Sequence, residues 1–575
     1  MQFSAGMLSI MTMMIVRHFK VWTIALLCLG MLIFFLLNQQ SGFYRGEVGA
    51  LYSDGHYISQ VAKNLATGNG YSYWDGFSYS YWDYEISTGP TIIFPMAAAI
   101  LLGFDIRDIF SYIPLAINIS LFATLLLVWS RRLDGLQFFV ISFSAALFFA
   151  CFQRWLWYLP LGDVASVLLF FLSLSFISSN SKSAWPLVTS GIAFSLAMLS
   201  KLMLVLALPF LMVYLITASW RNFRVWTISF SVPVFIFVFL LFYLKNIDQS
   251  PGEFFGAFYS LVERSILWAF PEFYVPELAA VFGWLDKLSW NWGAYNNVWW
   301  DDVNQYHLVA LLATSLFVSL GVYKNTSKIN VRMLCLIFSL LLIFFIWAFL
   351  ISLKGGRYSF MFVGLMSLST LLLAGFLGRF WLLTGAFLMC VANGYFLLHR
   401  GIVLEKMNDD PVSAAYSAAE GVMKFMSNKG IKEIVITDEV NRPYLNAALY
   451  MEEPSSLVSI FSLLDKQTYF PEKNDCLSQP IFPLLVTSST TGQLASPSFR
   501  CLSAKVVLNF HWLQDFDWKY VLDAGDKNKN IACSHLEMEL GSYRLYRCSR
   551  QEIEELISSQ VSGIFGWQQK LIFSL

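Results

Sequence analysis

The chain has 575 residues, of which 57% are apolar and only 13% are charged, with 38 Lys plus Arg against 38 Asp plus Glu. Soluble domains carry about 25% charged residues, so a soluble enzyme is excluded, and without a basic excess or basic tract there is no nucleic-acid partner to expect. The apolar residues gather into runs close to the ~20 residues a helix needs to cross a bilayer. The expected class is a polytopic α-helical membrane protein.

In chain order, the first run (21–37) follows Arg17 and Lys20 as a signal sequence would. It has no small-residue cleavage site and reads as an uncleaved anchor. The stretch "LYSDGHYISQVAKNLATGNGYSYW" (51–74) comes next. Tyr57, Ile58, Val61, Ala62 and Leu65 share one side of a helix that Gly68 and Gly70 end, which predicts an amphipathic helix lying along the membrane. Asp54 stands at its start, where a carboxylate can cap the helix. The same place would also suit a general base acting on a lipid-borne substrate, and both roles stay open.

The stretch "YWDYEISTGPTIIFP" (81–95) sets Asp83 and Glu85 ahead of Pro90. Alternate carboxylates can bind a divalent cation through oxygen, or can belong to a solvated loop. The apolar segment 91–103 is short for a span and starts between Pro90 and Pro95, as an interfacial segment would.

Further spans read at 109–129, 136–152, 164–178, 187–200, 202–219, 225–244, 307–323, 333–352, 357–377 and 381–398, about eleven with the first. With a cytoplasmic N-terminus and a segment 91–103 that does not cross, Arg131, Arg132, Lys182, Arg221, Arg224, Lys324, Lys328, Arg332 and Arg379 all fall in cytoplasmic loops. This is the positive-inside pattern, and it inverts if that segment crosses. The outer face then holds loops 38–108 and 245–306, short turns near 153–163, Lys201 and 354–356, and everything after 398.

Within the spans and outer turns, three features carry charge. Asp163 opens a span, where it suits the helix dipole. Lys201 interrupts "GIAFSLAMLSKLMLVLALPF"; a lysine inside a bilayer costs roughly 2.5–3.5 kcal/mol on insertion scales and marks a functional candidate, unless it snorkels at the turn. Arg357 and Tyr358 open another span in "LKGGRYSFMF", and the cations Lys354, Arg357 and Lys201 could together hold a lipid-linked phosphate or pyrophosphate. The outer loop "WNWGAYNNVWWDD" (290–302) suits sugar faces or the membrane interface equally.

The chain divides into a transmembrane part, 1–398, and an extracytoplasmic part, 399–575. The latter alternates helical pieces (411–429, 442–451) with strand-like ones ("KEIVITD", "IFPLLVTSS", "AKVVLNF", "SYRLYRC"), as a small α/β domain does. Cys476, Cys501, Cys533 and Cys548 lie there, enough for two disulfides in an oxidising compartment. Sequence-local pairing would join Cys476 to Cys501 and Cys533 to Cys548, although spacing alone does not determine it.

The order of these features is more informative than any one of them. Asp54 is followed by "VAKNLATGNGYSY", an acid before a proline-led segment, "RRLDG" after a span, "LGD" opening a span, "LSK" ending one, and "GRY" opening a late one. This series, over roughly residues 17–400, resembles the GT-C superfamily of integral-membrane glycosyltransferases. It is most similar to the aminoarabinose-transferase, protein O-mannosyltransferase and galacturonosyltransferase-like branch. The resemblance implies Asp54, Glu85 and Asp163 as catalytic carboxylates around the acceptor. It implies Lys201 and Arg357, beside Tyr358 and Lys354, as ligands of a polyprenyl-phosphate sugar donor. A divalent ion bound in some members would fall to Asp83 and Glu85. The expected protein is an inner-membrane enzyme of a bacterial envelope, working in membrane lipid on the periplasmic face and passing a sugar to a lipid, glycan or protein. The rival expectation is a transporter or flippase for a lipid-linked sugar.

Overall fold

The structure, a computed structural model, describes residues 2–39, 55–74, 79–81, 89–104, 106–152, 160–177, 183–244, 379–400 and 411–430, together with isolated positions and the strands of the C-terminal part. The expected spans 307–323, 333–352 and 357–377 and the loop 245–306 lie outside the described residues. Two compact units are present: Met1–Gly46 with Ile86–Lys406 and Ser488–Gln493, and Glu47–Glu85 with Met407–Thr487 and Leu494–Leu575.

The helices run α1 (Gln2–Gln39), α2 (Gly55–Thr67), α3 (Pro90–Leu101), α4 (Ile106–Arg132), α5 (Gly135–Phe152), α6 (Asp163–Ile177), α7 (Trp185–Ser200), α8 (Leu208–Ala218), α9 (Trp220–Leu244), α10 (Arg379–Arg400) and α11 (Pro411–Lys429). Three segments among the described residues are long and apolar enough to cross a membrane, His18–Leu36, Tyr112–Arg132 and Trp220–Leu240, and shorter apolar helices stand beside them. With 12 residues, α3 reaches only ~18 Å, short of the ~30 Å hydrocarbon core.

Side-chain contacts set the directions of the first helices. The Lys20 ammonium donates to the carbonyls of Ser130 and Leu133 at 2.7 Å each, a cation on the negative end of α4. Toward the other end of α1, Phe35 stacks on Trp157 at 4.6 Å, and Trp157 meets Phe122 of α4 edge-on at 6.2 Å. Helices α1 and α4 are therefore antiparallel. Phe19–Phe139 at 6.0 Å and the Trp157–Phe149 contact at 5.8 Å align α5 parallel to α1.

Buried hydroxyls and indoles join the following helices. The Trp129 indole donates to Ser175 Oγ at 2.9 Å, which sets the end of α4 against the end of α6. Ser173 and Ser190 share a hydrogen bond of 2.9 Å, and the Trp226 indole donates to Ser190 at 3.1 Å. Such polar contacts hold helices together where apolar burial gives no preference. Beside them α7 and α9 touch backbone to backbone. A Cβ on Gly191 would lie 2.7 Å from the Trp226 carbonyl oxygen and 2.9 Å from Ser229 Cβ. Gly191→Ala should accordingly lower stability by about 1–3 kcal/mol through overpacking in a denaturation titration of the purified protein. Gly30→Ala meets nothing within 4 Å and should be neutral or better, since alanine favours helix; equal stability of the two variants would refute the close contact.

The segment expected as one helix over 202–219 is instead a 3₁₀ turn, Leu202–Ala207, followed by α8. Pro209 occupies the first turn of α8. Its ring clashes with the carbonyl four residues back and has no N–H to give, so an α-helix starts near it rather than passing through it. Apolarity alone hid this break.

In the second unit, α2 buries Ile58, Val61 and Ala62 completely. It ends where Gly68 (φ 88°) and Gly70 (φ 74°) take the left-handed backbone that side chains disfavour. The Asn64 amide donates to the Ser72 carbonyl at 2.8 Å and Ser72 Oγ to the Asn69 carbonyl at 2.7 Å, tying the helix to β1 (Ser72–Trp74), which pairs antiparallel with β2 (Tyr79–Tyr81). The C-terminal strands are β3 (Ile434–Ile436), β4 (Leu457–Ser459), β5 (Phe482–Pro483), β6 (Phe499–Arg500), β7 (Tyr520–Asp523), β8 (His535–Leu540) and β9 (Tyr543–Arg547). Five of them form a sheet in the order β4-β3-β7-β9-β8. Strand β3 is parallel to both β4 and β7, and β7, β9 and β8 are antiparallel. A disulfide joins Cys533 to Cys548 with the Cα atoms 4.9 Å apart, closing the β8–β9 hairpin at its open end. Cys476 and Cys501 lie outside the described residues, as do 442–451 and "AKVVLNF".

Candidate functional site

Asp163 owes its position to the turn before it. Gly162 has φ 74°, which lets the chain enter α6 abruptly, and its carbonyl accepts the Ser166 amide at 2.9 Å. Ser166 Oγ donates to the Asp163 carbonyl at 2.7 Å. The Asp163 carboxylate thus lies in the first turn of α6, at the positive end of the helix dipole. Its side chain is fully buried. Neither carboxylate oxygen accepts a hydrogen bond among the described residues.

Lys201 comes to it from the far end of α7. The helix stops at Ser200, and Lys201 has extended backbone (φ −149°, ψ 108°) between α7 and the 3₁₀ turn. Its amide still donates to the Ala197 carbonyl at 3.1 Å. The ammonium lies 3.7 Å from Asp163 Oδ2 with both side chains at 0% exposure, and it donates to the Leu161 carbonyl at 3.5 Å. Full burial rules out snorkelling: the charge is compensated inside the protein. Two buried charges lose several kcal/mol of hydration each, and their attraction offsets this only with good partners. At 3.7 Å the pair is too long for a direct hydrogen bond, so the carboxylate keeps its capacity to accept one.

The start of α3 packs against the same helix end. A Cβ on Gly89 would overlap the carbonyl of Leu199, two residues before Lys201, and Thr91 Oγ1 donates to the Leu196 carbonyl at 3.3 Å. Pro90 opens α3, where its fixed φ suits a first helical residue. The opposite end of this bundle carries Lys20, Arg131 and Arg132, the last with its guanidinium 5.1 Å from the centre of the Phe176 ring. The acid–base pair and the basic cluster are thus at opposite ends of the helices.

Of the residues singled out from the sequence, the structure brings Asp163 and Lys201 together. Asp54, which immediately precedes α2, lies outside the described residues, as do Asp83, Glu85, Lys354, Arg357 and Tyr358. The sequence reading gave Asp163 to the acceptor and Lys201 to the donor phosphate; their mutual pairing was not foreseen, although "LGD" and "LSK" were both expected at outer turns. The contact of Gly89 and Thr91 with α7 was missed as well, and only the Gly-Pro at a helix start hinted at it.

Among the described residues, no three His, Cys, Asp or Glu side chains gather as metal ligands. Asp163, faced by an ammonium and with no second carboxylate beside it among the described residues, does not there offer the several oxygens a divalent cation takes. Asp83 and Glu85, the expected ligands, are outside the described residues.

No family model matches the sequence, and no curated protein matches it. Among solved structures the fold is similar to ArnT from Cupriavidus metallidurans bound to undecaprenyl phosphate, at 12% identity over 81% of this chain and 96% of that one, with a TM-score of 0.41. The apo state of ArnT matches at 14% identity over 77% and 91%, with a TM-score of 0.40. The Archaeoglobus fulgidus oligosaccharyltransferase in its apo form matches at 11% identity over 87% and 69%, with a TM-score of 0.46. Likenesses this partial carry no part of the functional reading, which stands on the residues.

Proposed function

We propose that the chain is a GT-C-type glycosyltransferase of the bacterial inner membrane, taking a sugar from a polyprenyl-phosphate carrier and passing it to a lipid, glycan or protein acceptor on the periplasmic face. One observation carries the proposal: a fully buried Asp163–Lys201 pair at the end of an apolar bundle opposite its basic cluster. A membrane protein keeps charges in such a place for substrate or ion handling rather than for stability. The motif series that ends in "LGD", "LSK" and "GRY" supports the particular chemistry.

In the proposed reaction an acceptor hydroxyl or amine attacks the anomeric carbon of the donor sugar. The new bond forms there as the bond from that carbon to the carrier phosphate oxygen breaks, and the electron pair leaves on the phosphate. A carboxylate takes the acceptor proton; Asp54 is assigned this role, with Glu85 positioning the acceptor. Lys201, with Arg357, Tyr358 and Lys354, stabilises the charge growing on the phosphate. Asp163 holds the Lys201 ammonium and keeps the site net-neutral before the donor enters. A divalent ion at Asp83 and Glu85, if bound, would add charge stabilisation, and no step depends on it. The N-terminus lies in the cytoplasm and the C-terminal part in the periplasm.

The test is transfer of radiolabelled sugar by purified protein in lipid nanodiscs, with a panel of polyprenyl-phosphate sugars and a membrane-lipid extract as acceptor. Product from wild type and not from Asp163→Asn is the expected result. Donor binding without product from any sugar, together with donor movement between leaflets of proteoliposomes, would instead establish a flippase.

A further inference from the structure

The ammonium of Lys201 is set in place by a contact outside the pair itself. Helix α7 ends with carbonyls that have no partner further along the helix, as every helix does; Leu199 carries one of them, and Gly89 lies on it. Gly89 sits so close to the Leu199 carbonyl that no side chain fits between them. Thr91 Oγ1 donates to the Leu196 carbonyl at 3.3 Å, and Ser200 Oγ donates to the same oxygen at 2.7 Å. The Gly89 and Thr91 contacts hold the last turn of α7 from the outside, and the Ser200 bond braces it from within. The backbone leaves the helix at Lys201 directly beyond them, and its side chain crosses to Asp163. Pro90, Ile92 and Ile93 of α3 are buried, so the clamp is anchored.

We infer that Gly89 and Thr91 are positioning residues, a clamp that fixes the end of α7 so that the Lys201 ammonium faces Asp163. The geometric part of this inference stands alone; its effect on catalysis rests on the glycosyl-transfer reading. Glu85 lies four residues before Gly89 in the chain.

The experiment measures the clamp without relying on activity. Wild type, Gly89→Ala, Thr91→Val, Thr91→Ser and Gly30→Ala, each in nanodiscs, are treated with ethyl acetimidate, a membrane-permeant amine reagent. Modification of Lys201 is then quantified by mass spectrometry, with thermal unfolding measured beside it. The clamp predicts a Lys201 labelling rate raised on the order of 10-fold in Gly89→Ala and Thr91→Val. Thr91→Ser, which keeps the hydroxyl, and Gly30→Ala should label as wild type does. Where transfer is assayed, kcat should fall about 10-fold in the first two variants while acceptor KM stays within about two-fold, the sign of a misplaced reacting group. Unchanged Lys201 labelling in Thr91→Val would overturn the clamp, even if Gly89→Ala fails to fold. Raised labelling in both variants with unaltered transfer would uphold the clamp and overturn its role in catalysis, whereas raised labelling with no transfer by wild type would uphold the clamp and count against the glycosyl-transfer reading.

Discussion

Lys201→Met is expected to abolish sugar transfer and to destabilise the protein by about 3–5 kcal/mol, the usual cost of breaking a buried ion pair from one side. The reason lies in the surroundings of Asp163. Its carboxylate is fully buried and its described contacts include no hydrogen bond, so Lys201 is the compensating charge that the structure shows. Asp163→Leu should destabilise for the mirror-image reason. The double variant Asp163→Leu/Lys201→Met should regain most of the lost stability, because two apolar residues can replace a buried pair at little cost, yet it should remain inactive. Denaturant titration of the four proteins gives the coupling as a double-mutant cycle, expected to approach the two single losses combined because the double variant should lose little. Additive losses would mean that the two residues do not face each other in solution. A stable and fully active Lys201→Met would remove Lys201 from the site altogether.

Asp54→Asn should separate the two roles that the residue could fill. Asparagine caps a helix about as well as aspartate does, and α2 begins at the next residue, Gly55. If Asp54 takes the acceptor proton, Asp54→Asn keeps the melting temperature of wild type while transfer falls by about 10²–10⁴-fold, the range that a general base contributes. Asp54→Ala should lose the same activity and a further ~1 kcal/mol of stability through the missing cap. A fully active Asp54→Asn beside a destabilised Asp54→Ala would assign Asp54 to the helix cap alone. The proton would then fall to Glu85, and Glu85→Gln would be the variant to assay. Donor binding, followed by quenching of the intrinsic tryptophan fluorescence, should be intact in Asp54→Asn, since the residue acts on the acceptor.

The features legible in the sequence are those governed by neighbours along the chain. Low charge and apolar runs specify membrane helices because an unpaired backbone polar group in hydrocarbon costs several kcal/mol. The stop of α2 at Gly68 and Gly70 is written in the residue type, since glycine takes a positive φ without strain. The helix at 411–429 appears in the structure with those bounds, and Asp163 stands in the first turn of α6. The break after Lys201 was also local, through Pro209, but a continuous apolar run masked it.

What the sequence by itself determined is therefore the class of protein, the identity of most helices and the candidate charged residues at their ends. What only the tertiary structure decided is which of those residues meet. Lys201 and Leu161 lie 40 positions apart, and Asp163 faces Lys201 because α7 returns antiparallel along α6, joined by Ser173 and Ser190, and ends at the level where α6 begins. The seating of Gly89 on Leu199 depends in the same way on α3 reaching α7 from another part of the chain. Side-chain pairing across helices depends on where packing stops each helix, and short-range sequence pattern carries no record of that.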